Sequence, residues 1–409
     1  MAERLKAGEP GDKTTTPGAP APAAPAESRA DVVQDRFTAP VIAEGIDVQQ
    51  KISGPWGNNA NLTVMLHGHY DEGNRAWLTE VIRSWRRALP GAQVGMAASQ
   101  IDQNLTEAER DLWRPEDVER ADDRRVRLIR QMQPEVDFLV ESHPAGVLPP
   151  LKFDDKANNC NKMIGAVQAG LSAVDTRWVL RIREDAYIQH PARMGADYEA
   201  FARHIGTPKA FRQPVAISPY YTINPFGLER MSFHVSDWYN LGLTEDVADY
   251  WNVAPMSFGD ATYFEGMPHA PHTNRYERPM RARMPPEMLI ATTFAARHGY
   301  RVPHYFNETG YESDGLAFMR DNFVMPDPDV IGMGMEKYRK QRNWVLTGLL
   351  VISPAEWKIL MEGGEPAFRA AIRGKERMIR LAEIRRRMLP FGRIRRSKVF
   401  RSLGWMIRG

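Results

Sequence analysis

From residue 62 onward, short apolar runs alternate with amphipathic stretches. Residues 62–67 (LTVMLH) form a compact apolar run that stops at Gly68 and predict a strand. Trp77, Val81, Ile82, Trp85 and Leu89 then recur at helical spacing until Pro90, predicting a helix with one buried face. Residues 92–98 predict a second strand, the charged stretch 107–130 a second helix, and 136–141 a third strand. In residues 158–187 a polar turn leads into a helix whose Met163, Val167, Gly170 and Val174 share a face. A strand follows over 178–182, interrupted by Arg181, and ends abruptly in Arg183, Glu184 and Asp185. Beyond Asp185 the pattern loosens, with strands expected at 215–219 and 231–235 and a helix over 285–298 that carries proline in its first turn. Residues 343–352 are apolar enough to return to the core. Strands alternating with helices imply parallel pairing in a doubly wound sheet, an α/β architecture.

The charged strand end is the first candidate for chemistry. Loops at the carboxyl ends of strands carry the ligands of open α/β sheets, and two acids with an arginine suit a metal-bound diphosphate. Strand alternation puts Arg183 and Asp185 on one face and Glu184 on the other. Asp185 is then the main candidate ligand for a hard cation, and Glu184 is a second ligand or, as the alternation favours, an outward-facing bystander. Arg183 is placed to pair with Asp185 or with a phosphate oxygen. The plain alternative is a solvated ion pair at a strand exit.

Asn158, Asn159 and Asn161 precede the helix, which is more asparagine than one N-cap needs. A helix N-terminus also offers free N–H groups to an anion, and Lys162 adds charge there. Capping and ligand contact both remain open. Gly68 stands in the first βα turn between His67 and His69, where contact with a nucleotide is expected; a lone His-x-His holds a transition metal only with further ligands. Neither a GxGxxG nor a GxxxxGK[ST] loop occurs, which argues against dehydrogenase and P-loop kinase chemistry. His269, His272 and residues 274–276 form either an acceptor loop or a mobile polar loop.

The blocks NNCNK, RIRED, FHVSDWYNLGLTED, PPEMLI and NFVMPDP, in that order, make the chain resemble the WavE-type lipopolysaccharide synthesis proteins over about residues 62–340. The resemblance implies a GT-A-like, Rossmann-type three-layer sandwich and a glycosyltransferase. Such an enzyme moves a sugar from a nucleotide-sugar donor to a lipopolysaccharide-core or other surface-polysaccharide acceptor. Position by position it implies donor contacts for Asn159, Asn161 and Arg183, a Mn²⁺ or Mg²⁺ ion on Asp185, and Asp237 and Glu287 as candidate general bases. An inverting transfer needs such a carboxylate within reach of the acceptor hydroxyl. Glu287, in the first turn of a helix, is also favourably placed against the helix dipole without any catalytic role. The chain departs from the expected pattern after its first strand, where His67-Gly68-His69-Tyr70 replaces a more neutral turn. A sugar nucleotidyltransferase, or a non-catalytic membrane-surface binding protein, are the alternatives.

Composition adds the surroundings. The chain has 409 residues, 43% apolar and 26% charged. Residues 1–35 are Pro- and Ala-rich and are expected to be a disordered head. The single cysteine, Cys160, excludes an internal disulfide and fits a reducing compartment. No apolar run is long enough to span a bilayer, and the N-terminus lacks a signal-peptide core. The net charge of +3 conceals an asymmetry: residues 365–409 carry 14 Lys and Arg against 3 Asp and Glu, a net of +11. With Phe368, Ile372, Ile379, Ala382 and Leu389 on one helical face, that tail suits adsorption to an anionic membrane surface; no nucleic-acid motif accompanies the charge. The expected organisation is a head at 1–35, a GT-A-like domain at 36–345 and a basic helical extension at 346–409. The protein is expected at the cytoplasmic face of the inner membrane, beside a lipid-linked or saccharide acceptor.

Overall fold

The computed structural model describes residues 54–102, 115–142, 148–153, 157–335 and 345–388, all within one compact unit. A seven-stranded sheet runs in the order β3 (Phe138–Glu141), β2 (Gln93–Ile101), β1 (Leu62–Tyr70), β4 (Trp178–Arg183), β7 (Tyr239–Leu243), β6 (Val215–Ile217), β8 (Phe323–Val324). Within it β7 runs against both its neighbours and the other pairings are parallel. Strands β5 (Ala186–Ile188) and β9 (Met333–Met335) form a separate antiparallel pair.

Alternation along the central strands sorts their side chains into two cores. Leu62, Val64 and Leu66 of β1 and Trp178, Leu180 and Ile182 of β4 face one core, while Met65 and Val179 face the other. Helices α1 (Arg75–Ala88), α2 (Pro115–Met132) and α4 (Pro191–Ile205) cover the first side with residues such as Trp85, Leu128 and Tyr198. Helix α3 (Cys160–Ser172) covers the second, with α5 (Thr244–Tyr250), α6 (Pro286–Arg297) and α7 (Glu312–Asn322). The sheet is therefore buried on both faces, the expected three-layer α/β sandwich. Gly170 lets α3 press on the sheet, since a Cβ there would lie 2.6 Å from the Ala97 methyl.

Two expectations are corrected. The strand at 231–235 does not form: Phe233 is buried with φ of 63°, a conformation that cannot continue a ladder. The strand in that region is β7, which the polar Asn240 and the small Gly242 had concealed. The boundary at 345/346 falls inside the domain, because helix α8 (Val345–Leu350) is followed by α9 (Pro354–Met388), whose Trp357, Leu360, Phe368 and Ile372 complete the second core. Helix α9 is broken at Gly364, with φ of 66° and Pro366 just beyond, and that break lets both halves face the same core. The head at 1–35, the first part of the helix expected at 107–130 and residues 389–409 lie outside the described residues.

Truncating Phe368, which is fully buried, removes a large apolar side chain from a closed core. Phe368→Ala is expected to lower unfolding free energy by about 3–5 kcal/mol in a denaturant titration; a loss below about 1 kcal/mol would show that this half of α9 is not part of the core.

Candidate functional site

After β1 the chain moves outward to β2 and β3, then returns to β4 on the other side of β1. The crevice between the carboxyl ends of β1 and β4 is thus a topological switch point, where open α/β sheets bind ligands. His67 of β1 lies opposite Arg183 of β4 in the register. Because β7 is antiparallel, its beginning reaches the same edge and delivers Asp237 there; Arg183 donates its backbone N–H to the Trp238 carbonyl at 3.2 Å.

Arg183 organises the site. Its Nε and Nη2 donate to the two carboxylate oxygens of Asp185 at 2.9 and 3.0 Å, and Nη1 reaches Asp237 Oδ2 at 3.4 Å. Burial opposes its charge, but Asp185 and Asp237 outweigh that, and its pKa is raised well above the ordinary value. Asp185 therefore lies against Arg183 from the turn that follows β4.

Glu184 is not an outward-facing bystander. Its buried carboxylate accepts the Asp185 N–H at 3.1 Å and meets His69 Nδ1 at 2.9 Å. Gly68 makes this possible: a Cβ at that position would lie 2.2 Å from the Glu184 carboxyl carbon. The two histidines differ accordingly. His67 is buried, and desolvation together with Arg181 and Arg183 pushes its pKa well down, so it is neutral. Burial also opposes charge on His69, but its hydrogen bond to Glu184 and the charges of Glu184, Asp71 and Asp185 raise its pKa.

Glu287 occupies the first turn of α6, as expected, and its carboxyl is pushed up to about 8, first by burial and next by the charge of Asp237. Arg183 and Lys152 pull the other way. His234 Nε2 stands 3.7 Å from the Glu287 carboxylate, and burial lowers the His234 pKa to about 4. A raised carboxyl beside a second carboxylate is the pattern of an acid–base site.

The asparagines divide. Asn158 Oδ1 accepts the Cys160 N–H at 3.0 Å, which is the capping role. Asn161 binds the Met256 backbone through both ends of its amide, donating at 3.0 Å and accepting at 2.7 Å, and so staples α3 to Met256. Asn159 is exposed and makes no side-chain cap bond. Lys162 donates to Gln100 at 3.2 Å. The loop around His272 is fastened rather than mobile: Glu277, fully buried, accepts from Arg230, the Asn274 N–H and Asn307. Arg181 and His234 were not foreseen as site residues. A charged residue inside the apolar run of β4 was the signal for Arg181; nothing in the pattern marked His234.

Among the described residues no three His, Cys, Asp or Glu side chains gather to cage a metal. A cation carried with a nucleotide needs only one or two protein carboxylates, since phosphate oxygens and water complete its shell. Asp185 fits that narrower role, because a carboxylate retains lone pairs beyond the two that Arg183 engages. His67 Nε2 is buried with no hydrogen-bond partner among the described residues.

The model of the WavE lipopolysaccharide synthesis family matches residues 133–363, more than half of the chain. No curated protein matches. Among solved structures, the chain is similar to the galactosyltransferase LgtC in complex with donor and acceptor sugar analogues, at 12% identity, over 72% of this chain and 99% of that one, with a TM-score of 0.31. An active-site mutant of LgtC gives 13% identity over the same shares and the same TM-score. At that TM-score the likeness carries no weight. No described helix is long and apolar enough to cross a membrane.

The raised Glu287 carboxyl has a consequence for stability. Its folded pKa lies above its unfolded one, so the folded protein keeps a proton that the unfolded chain releases, and stability falls as pH rises from about 4.5 to about 8. Glu287→Gln is expected to melt higher than the parent at pH 8, by on the order of 1–3 kcal/mol of stability, and to match it near pH 4. Equal melting at both pH values would remove the buried-acid account.

Proposed function

The chain belongs to the WavE lipopolysaccharide synthesis family, and from that premise we propose that it moves a sugar from a nucleotide-sugar donor to a lipopolysaccharide-core or other surface-polysaccharide acceptor. The observation that carries this reading is the bridge from Arg183 to Asp185 and Asp237 at the switch point, with the raised Glu287 beside it. Glycosyl transfer from a nucleoside diphosphate builds negative charge on the leaving group while a hydroxyl on the acceptor loses its proton. The site has a cationic side for the first event and a carboxylate side for the second.

Arg183 meets the donor diphosphate. Held in plane by Asp185, it presents a fixed fork of N–H groups to phosphate oxygens. A Mn²⁺ or Mg²⁺ ion arriving with the donor would take Asp185 as its protein ligand and supply further charge to the departing diphosphate. Asn159, exposed at the start of α3, remains a donor contact in this reading, and Gly68 serves it by admitting Glu184 beneath the β1 turn. Glu287 takes the acceptor proton, since a base works best with its pKa near the operating pH. Asp237 keeps Arg183 in place, and its charge raises the Glu287 pKa so that the carboxylate, once formed, is a stronger base.

The acceptor is lipid-linked or saccharide, and α9 suits such a location. Beyond Ile372 this helix leaves Met378 51% and Leu381 64% exposed, with Arg373, Arg377 and Arg380 exposed beside them. An apolar edge flanked by arginines suits adsorption to an anionic membrane surface, and this supports the reading of a peripheral enzyme on the cytoplasmic face.

Isothermal titration with UDP and with GDP, each with and without Mn²⁺, tests the donor site. One nucleotide is expected to bind with Mn²⁺, and Asp185→Ala is expected to weaken that binding at least tenfold and abolish transfer while still folding, as a cooperative melting curve would show. Undiminished transfer by Asp185→Ala would remove its role.

A further inference from the structure

Arg181 lies on β4 two residues before Arg183 and is fully buried, one of the largest side chains in the interior with no exposure at all. Its guanidinium stacks on Trp251, with Cζ 4.2 Å from the ring centroid. Nη1 donates to the backbone carbonyl of Asp237 and lies 3.5 Å from Asn240 Oδ1, the residue opposite it in the β4–β7 register. Trp251 Nε1 donates to that same Asn240 oxygen at 2.9 Å, so ring, amide and guanidinium fix one another. Among the described residues, Nε and Nη2 find no hydrogen-bond partner.

Such a placement is costly. A buried cation without a hydrogen-bonded carboxylate destabilises a fold, and an apolar side chain of similar volume commonly serves as well or better. Core packing therefore gives no reason for an arginine here. What Arg181 does contact is the main chain of Asp237, whose carboxylate reaches Arg183 and whose charge acts on Glu287.

We propose that Arg181 is a positioning residue for the transfer reaction: by gripping the Asp237 carbonyl from inside the sheet, it sets where the Asp237 carboxylate stands between Arg183 and Glu287. This rests on the glycosyltransferase reading above. Arg181 is faced by Asp237, Arg183 and Tyr250 and lies near His67. Glu287 is faced by Asp237, Arg183, Lys152 and His234, with Cys160 and Tyr250 also within its electrostatic reach. Displacing Asp237 removes a negative charge from that set, and the proton on Glu287 is then held less strongly.

The test is Arg181→Met in the full-length protein, with thermal melting, nucleotide binding by calorimetry and the pH dependence of kcat as readouts. Expected are melting at or above the parent temperature, a nucleotide Kd within about threefold and a kcat at least tenfold lower. The acid limb of the kcat profile moves to lower pH, a shift that lost packing alone does not produce. Parent-like kcat with an unmoved limb, or a kcat that falls only in step with the folded fraction, overturns the proposal. Should Arg181→Met fail to fold, Arg181→Lys decides: it keeps the charge but loses the planar fork, and parent-like kcat and pH profile in it also overturn the proposal. A parent protein that turns over no nucleotide sugar fails the transferase reading itself, whereas an active parent with an equally active Arg181→Met fails only the role of Arg181.

Discussion

The guanidinium of Arg183 lies between two carboxylates, and the geometry of the crevice follows from what is needed to hold it there. Asp185 takes two of its N–H groups in a planar pair, and Asp237 takes a third at longer range. For both acids to reach one cation, the loop after β4 and the beginning of β7 must arrive at the same sheet edge. The antiparallel direction of β7 does that, setting its beginning beside the end of β4. The pair of β1 with β4 then brings His67, Gly68 and His69 to the other side of the crevice.

Charge in this crevice is arranged in depth. The His69 ring is 40% exposed and shares a hydrogen bond with the more deeply covered Glu184. Arg183 and Asp185 are each about one-fifth exposed, Asp237 is nearly covered, and Arg181 on Trp251 is fully buried. Opposite charges placed so closely in a poorly solvated site strengthen one another, while each unpaired polar atom costs more than it would in water. The neutral His67 fits this order, since a third cation close to Arg181 and Arg183 would be repelled by both. The same low polarity raises Glu287, so the feature that suits it to move protons also weakens the fold at higher pH.

Much of this was legible in the sequence because the signals were local. The apolar runs of β1, β2 and β4, the helical spacing of Trp77 to Trp85 and the Arg-x-Asp at a strand end each depend on neighbouring residues alone. What escaped the sequence depended on distant partners. Asn161 reads as a ligand candidate until Met256, far along the chain, is seen to occupy both ends of its amide. Glu184 reads as outward-facing because alternation assumes that the strand continues, yet the chain turns after Arg183 and the absent side chain of Gly68 leaves room beneath it. The strand expected at 231–235 fails for a similar reason, since a buried Phe233 with positive φ answers to packing rather than to strand propensity.

The family match also divides the crevice. It spans residues 133–363 and so includes Arg183, Asp185, Asp237 and Glu287, whereas β1 with His67, Gly68 and His69 precedes it. The Arg183 bridge and the raised Glu287 thus lie in the part matched by the family, and the opposing wall lies in the part outside the match. Glu184 joins the two, because its backbone belongs to the matched part and its carboxylate rests on the Gly68 and His69 of the other. A change in the β1 turn can therefore reach Asp185 through the Glu184 carboxylate, which accepts the Asp185 N–H, without altering any residue of the shared part. That link couples the His-Gly-His turn to the Arg183 bridge through the Asp185 main chain.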